Sequence, residues 1–191
     1  MLFFTVFFGS AQVENQTTKL KYLEAGLSVT RYDMMEPVLA SAEVHLGTIV
    51  SPSFSYGALV SGYTAMRKTR KSTTNADYKY YSPRGGRMGF FVKPTIDEAN
   101  KLALQIKLAV GVAYQTGERE VSSDDSALEY AGGVDLCYTF SLNKNHAIGV
   151  FLGADMAVFD YRAVDVKQRM LRYSIGVKYQ LRYKKSQNFN P

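Results

Sequence analysis

The chain has 191 residues, 46% of them hydrophobic and 21% charged, with 14 Tyr, 11 Phe and no Trp. That length suits one domain, and the hydrophobic content excludes a disordered tail. The net charge of +6 sits in patches with no nucleic-acid-binding module around them, which argues against nucleic acid as a partner; the single cysteine, Cys137, excludes a disulfide framework and supplies no zinc site.

The chain opens with MLFFTVFFGSAQ, in which Leu2 to Phe8 is an apolar run too short to cross a bilayer as a helix. Gly9-Ser10-Ala11 places small residues where a signal peptidase would cut before Gln12. Residues 1–11 therefore read as a truncated signal peptide, 18–183 as one β-domain and 184–191 as a polar C-terminal tail.

From there on, apolar residues recur at every second position, the spacing of a two-faced β-strand. Leu23, Ala25, Leu27 and Val29 alternate with Glu24, Gly26 and Ser28. Val38, Ala40, Ala42, Val44, Leu46 and Val50 alternate with Ser41, Glu43, His45 and Gly47. Tyr56, Ala58, Val60, Thr64 and Met66 oppose Ser55, Gly57, Ser61 and Tyr63, and Met88, Phe90 and Val92 more weakly oppose Arg87, Gly89, Phe91 and Lys93. The stretch LALQIKLAVGVAYQ, Leu102–Gln115, separates Leu102, Leu104, Ile106, Leu108, Val110, Val112 and Tyr114 from Ala103, Gln105, Lys107, Ala109, Gly111 and Ala113. Three further strands cover Leu128–Leu142, Ala147–Val158 and Leu171–Tyr183. The count is eight, and the one place where a helical turn fits is Asp97–Lys101.

Connections alternate in length. Ser51-Pro52-Ser53 and Asn143-Lys144-Asn145 are tight turns by residue type. The stretches from Arg67 to about Arg84, Thr116 to Ser126 and Asp160 to Gln168 are long and polar. Short turns at one end and long loops at the other are expected of a transmembrane barrel, whose periplasmic connections are brief. Lys93–Lys101 is longer than that rule prefers.

Which face meets solvent decides between two closed barrels. A lipocalin-type barrel points its apolar face inward and would then show water Ala147, Gly149, Phe151, Gly153, Asp155 and Ala157. These are too small and too weakly polar for a solvated wall. Inside an eight-stranded barrel, small residues make room for one another, and the buried charges must pair. The interior polar network expected on this reading is Glu24, Glu43, His45, Lys107, Glu129, Asp135, Asp155, Arg172 and Lys178. Its five acids outnumber its three bases, so some carboxylates would be protonated or water-linked. The outward Leu, Ile and Val then meet lipid: at roughly 3.3 Å per residue and a tilt of about 40°, Leu102–Tyr114 spans some 30 Å, enough for an apolar band of about 25 Å. Tyr114, Tyr138, Phe140, Tyr179 and Tyr183 lie near strand ends, where interfacial aromatic girdles sit.

In pattern more than identity, the chain over about residues 18–183 resembles the small outer-membrane β-barrel proteins of Gram-negative bacteria, the porin-like outer-membrane protein A and X type. The most specific piece is the last strand, where Ser174, Gly176, Tyr179 and Leu181 match the alternating signal read by the barrel-assembly machinery. The resemblance implies an all-β, eight-stranded antiparallel up-and-down transmembrane barrel in the outer membrane, a monomer with both termini in the periplasm, with membrane lipid and lipopolysaccharide around it. It implies a structural or surface-interaction role and no cofactor, metal or catalytic residue.

Some barrels of this architecture modify lipid, which needs a Ser–His pair and an orienting acid. His45 shares a face with Glu43 and Ser41 and reads as part of the interior network; His146 lies by the short Asn143–Asn145 turn, at the wrong end for outer-leaflet lipid. The basic cluster Arg67, Lys68, Arg70 and Lys71, followed by Tyr78, Tyr80 and Tyr81, offers a surface for anionic headgroups. The alternatives are a soluble lipocalin-like carrier, a narrow pore and a lipid-A-modifying enzyme. The direction taken by Leu104, Ile106 and Leu108 separates the soluble reading from the membrane one.

Overall fold

The computed structural model describes residues 20–32, 38–66, 69–70, 80–97, 99, 101–116, 125–161 and 166–184. Eight long strands run through them: β1 (Leu20–Tyr32), β2 (Val38–Ser51), β3 (Phe54–Ala65), β4 (Tyr80–Pro94), β5 (Leu102–Thr116), β6 (Asp125–Ser141), β7 (His146–Tyr161) and β8 (Val166–Lys184). Each pairs antiparallel with its sequence neighbours, and β1 pairs with β8, so the sheet closes on itself. In register, Leu27 lies opposite both Ala42 and Val177. Beyond β3, Thr69–Arg70 pairs with Tyr80 and Tyr81. The residues expected as signal peptide, 1–11, lie outside the described residues, as do 185–191 of the tail.

Several strands run further than their apolar alternation. Ser82–Arg87 in β4, Asp125–Ala127 in β6 and Val166–Met170 in β8 stay paired with a neighbouring strand although their sequences are polar or glycine-rich. Backbone hydrogen bonding to a neighbouring strand needs no apolar face, so the ladder continues beyond the amphipathic pattern.

The short turns are built locally. Between β2 and β3 the register shifts between Ile49 and Ser51 before the turn at Pro52-Ser53. Between β6 and β7, Asn143 Oδ1 accepts the amides of Asn145 and His146, each at 2.9 Å, an Asx-type turn. The Lys93–Lys101 connection tightens because Thr95 bridges Ala103 and the Ile96 amide donates to the Leu102 carbonyl at 2.8 Å. Asp97 Oδ1 accepts the amides of Lys101 and Leu102. Residues 98 and 100 of the stretch where a helical turn is expected, Asp97–Lys101, lie outside the described residues.

Burial is inverted relative to a soluble protein. Leu108 is 68% exposed and Ile106 42%, whereas Asp135 is 1% exposed and Gln105 and Glu129 are 0%. Lys107, Arg172 and Lys178 are buried too. Leu27, Val60, Phe90, Leu152 and Ile175 continue the exposed apolar surface around the ring. The leucines of β5 point out of the barrel, which removes the lipocalin-type arrangement.

Candidate functional site

The interior is stacked in layers along the barrel. Towards the long connections, Leu39, Tyr63, Ala113, Ala127, Ala157, Phe159 and Met170 form an apolar cluster. A second cluster, Tyr22, Leu59, Phe91 and Ala109, lies in the other half. Charged side chains from every strand but β3 fill the space between and beside them.

One polar group centres on Glu129. Its Oε1 accepts from Arg172 Nη1 at 2.6 Å and lies 3.5 Å from Arg87 Nη1. Tyr63 donates its hydroxyl to Oε2 at 2.8 Å. Asp155 binds the same guanidiniums, accepting from Arg172 Nε at 2.5 Å and Arg87 Nη1 at 3.2 Å. Arg87 Nε also donates to Ser61 Oγ at 2.9 Å. Tyr63 can reach Glu129 because its ring lies over Gly85; a Cβ there would stand 2.6 Å from the ring's Cζ and hydroxyl.

The other group joins Glu24, Glu43, His45, Asp135, Lys107, Lys178 and Lys93. Lys178 Nζ lies 3.0 Å from Glu43 Oε1, 3.5 Å from Glu24 Oε1 and 3.5 Å from Asp135 Oδ2, and 4.3 Å from the centroid of the Phe151 ring. Lys107 Nζ is 2.7 Å from Asp135 Oδ2. His45 sits between two carboxylates, Nδ1 at 3.0 Å from Glu24 and Nε2 at 3.4 Å from Glu43. Lys93 donates to Glu24 Oε2 at 3.1 Å, and Lys178 donates to Gln105 Oε1 at 3.2 Å. Buried Cys137 donates its thiol to Gln105 Oε1 at 4.0 Å.

These two groups bring together all nine residues of the polar set named from the sequence. They also contain two cations that the set omits, Arg87 and Lys93. With them, five carboxylates face five cations, and no surplus acid has to be protonated or water-linked. The signal for both was present, since they share parity with Gly89 and Phe91. Adjacent aromatics, Phe90 and Phe91, blur that alternation.

Between the two groups remain cavities of about 10 and 20 Å³, both lined by Glu43, Arg87, Lys107 and Asp155. Each is on the scale of a single water.

On the last strand, Tyr179 points outward and hydrogen-bonds through its hydroxyl with His146 Nδ1. Gly176 is opposite Ser28 and Phe151, Ser174 opposite Thr30 and Gly153, and Leu181 opposite Leu23 and His146. Of the basic cluster, Arg67, Lys68 and Lys71 lie outside the described residues, and Arg70 is described only by its pairing with Tyr80. Neither histidine hydrogen-bonds a serine among the described residues: His45 meets Glu24, Glu43 and Gln105, and Ser41 meets Thr30. The described residues hold no group of three or more metal-ligating side chains.

No protein-family model and no curated protein sequence matches the chain. Among solved structures it is similar to Neisserial surface protein A, with a TM-score of 0.59 and 6% identity over 87% of this chain and 98% of that one. It is also similar to the N-terminal β-barrel domain of Pseudomonas aeruginosa OprF, at a TM-score of 0.46 and 12% identity over 84% and 97% of the two chains. For Ail, the attachment invasion locus protein of Yersinia pestis, the TM-score is 0.44 and the identity 13%, over 85% and 97%. The likeness of fold rests on the first of these together with the closed ring and outward apolar belt: the chain has the fold of the small eight-stranded transmembrane β-barrels of the bacterial outer membrane.

Proposed function

We propose that the chain is an integral protein of the bacterial outer membrane, a monomeric barrel with a structural or surface-interaction role and an interior closed to solutes. The inverted burial carries this reading: exposed Leu108 on a wall whose inner side holds buried Glu129. A membrane admits only helices and closed barrels, because every backbone group in hydrocarbon must be paired; here β1 and β8 leave no open edge. Two observations support closure of the lumen. Charged side chains pair with one another across the barrel. Room for about one water separates the two groups.

Short turns at one end and longer connections at the other orient the protein, with Pro52-Ser53 and Asn143–Asn145 in the periplasm. The segment with Arg67, Lys68, Arg70 and Lys71 then lies outside the cell, where it meets the phosphates of lipopolysaccharide. Ser174, Gly176, Tyr179 and Leu181 on β8 serve as the contact for the barrel-assembly machinery.

Fractionation and electrical recording test the reading. The protein should be extracted from outer membranes only with detergent, migrate differently on gels before and after heating, and give no steady conductance in planar bilayers. Recovery in the soluble fraction without detergent would remove the membrane assignment. Stable unit conductance would remove the closed interior alone.

A further inference from the structure

At the end bearing the short turns, the interior widens into an open vestibule of about 650 Å³. Small-molecule sites are typically about 300–1,000 Å³. Lys93 lies at its floor, and Lys101 and Arg182 stand on its wall. The hydroxyls of Ser55, Thr139 and Ser141 share the lining with apolar Leu20, Ile49 and Phe54.

Among the described residues, no Asp or Glu lines this vestibule. Among the described residues, the nearby carboxylates Asp97 and Glu24 are hydrogen-bonded to other groups. Asp97 Oδ1 accepts the amides of Lys101 and Leu102 at 2.8 and 2.7 Å. Glu24 lies deeper, accepting from Lys93 at 3.1 Å and from Gln180 Nε2 at 3.4 Å. Arg182 Nε donates to Gln180 Oε1 at 2.9 Å, which fixes the guanidinium on the wall. Neither Lys101 nor Arg182 enters an ion pair among the described residues.

We propose that this vestibule binds a small polyol that carries an oxyanion, a sugar phosphate or a sugar acid. Two cations without carboxylate partners among the described residues, set in a concave mouth, concentrate positive potential where field lines are focused by the barrel wall. Ammonium and guanidinium groups match phosphate and carboxylate oxygens. The hydroxyls of Thr139 and Ser141 offer partners for the hydroxyls of a sugar, and the apolar side chains beside them offer contact to its C–H groups. The compartment from which the ligand arrives rests on the orientation proposed above; binding to the purified barrel does not.

The test titrates the full chain, refolded in detergent micelles, with glucose 6-phosphate, gluconate and glucose, followed by NMR shifts or calorimetry. One or both anions should bind while glucose does not, and the tighter anion names the group recognised. Lys101→Gln and Arg182→Gln should each weaken binding about tenfold, as expected for a lost hydrogen bond to a charged group. Replacing Lys68, Arg70 and Lys71 with Gln should leave the affinity unchanged, and added salt should weaken binding to the native protein. Retained heat-modifiable migration identifies variants that are folded. If a variant fails to fold, the salt dependence and the glucose control on the native protein still decide. Absence of binding by both anions, equal binding of glucose, or unchanged affinity in both folded vestibule variants would overturn the site.

Discussion

Glu129→Gln isolates the role of charge inside the barrel. The carboxylate is fully enclosed, 2.6 Å from Arg172 Nη1 and 3.5 Å from Arg87 Nη1. At an effective dielectric constant of about 20, unit charges at these separations attract by roughly 6 and 5 kcal/mol, and desolvation of the ions offsets most of that. The amide keeps the volume of the side chain and an acceptor for the Tyr63 hydroxyl, but two guanidiniums then face only Asp155 within this group. Removing one member of a buried ion pair costs about 3–5 kcal/mol. Because Asp155 stays, about 3 kcal/mol is expected. Urea unfolding in lipid vesicles measures it, read by circular dichroism or gel mobility because the chain has no Trp. Glu129→Leu combined with Arg172→Met removes one charge of each sign and should cost at least about 1 kcal/mol less than the sum of the single variants. A loss below about 1 kcal/mol for Glu129→Gln would refute a charged, water-poor interior.

Leu108→Arg places a cation on the lipid face near the middle of β5 and should destabilise the barrel in bilayers by about 2–4 kcal/mol; a neutral effect on vesicle refolding would mean that this wall is wet. Gly85→Ala sets a methyl group 2.6 Å from Tyr63 Cζ. It should cost about 1–3 kcal/mol by overpacking, measured by the same urea titration; an unchanged midpoint would show that Tyr63 can withdraw freely. Replacing Lys68, Arg70 and Lys71 with Gln should weaken adsorption to lipopolysaccharide-containing vesicles by several-fold; unchanged adsorption would retire the loop as a headgroup contact.

Much of the architecture was legible from a spacing of two, because a strand at a wall between unlike media must alternate. β5, β7 and β8 display this most plainly. Strand ends were harder: Ser82–Arg87 pairs through its backbone while its side chains carry no apolar rhythm. In the interior, the parity of each charge was readable, but partner choice was not. Which acid Lys178 approaches depends on the stagger among β1, β2, β6 and β8, and no local sequence encodes that. Leu39 and Leu59 are apolar yet buried inside, because the interior has its own apolar clusters. Alternation alone assigns polar residues to the inside and misses them.

Among the eight long strands described, seven of the eight ladders join strands that follow one another along the chain; the seam of β1 with β8 alone joins the first to the last, matching Leu20 with Lys184 and Tyr32 with Arg172. Non-local pairings of this kind form slowly. Until the final strand arrives, the growing sheet has two raw borders, and hydrocarbon offers their amides and carbonyls nothing to bond. Insertion and closure must therefore proceed together, and a chain cut short before Val166 would present its ribbon borders to any neighbouring strand able to zip onto them.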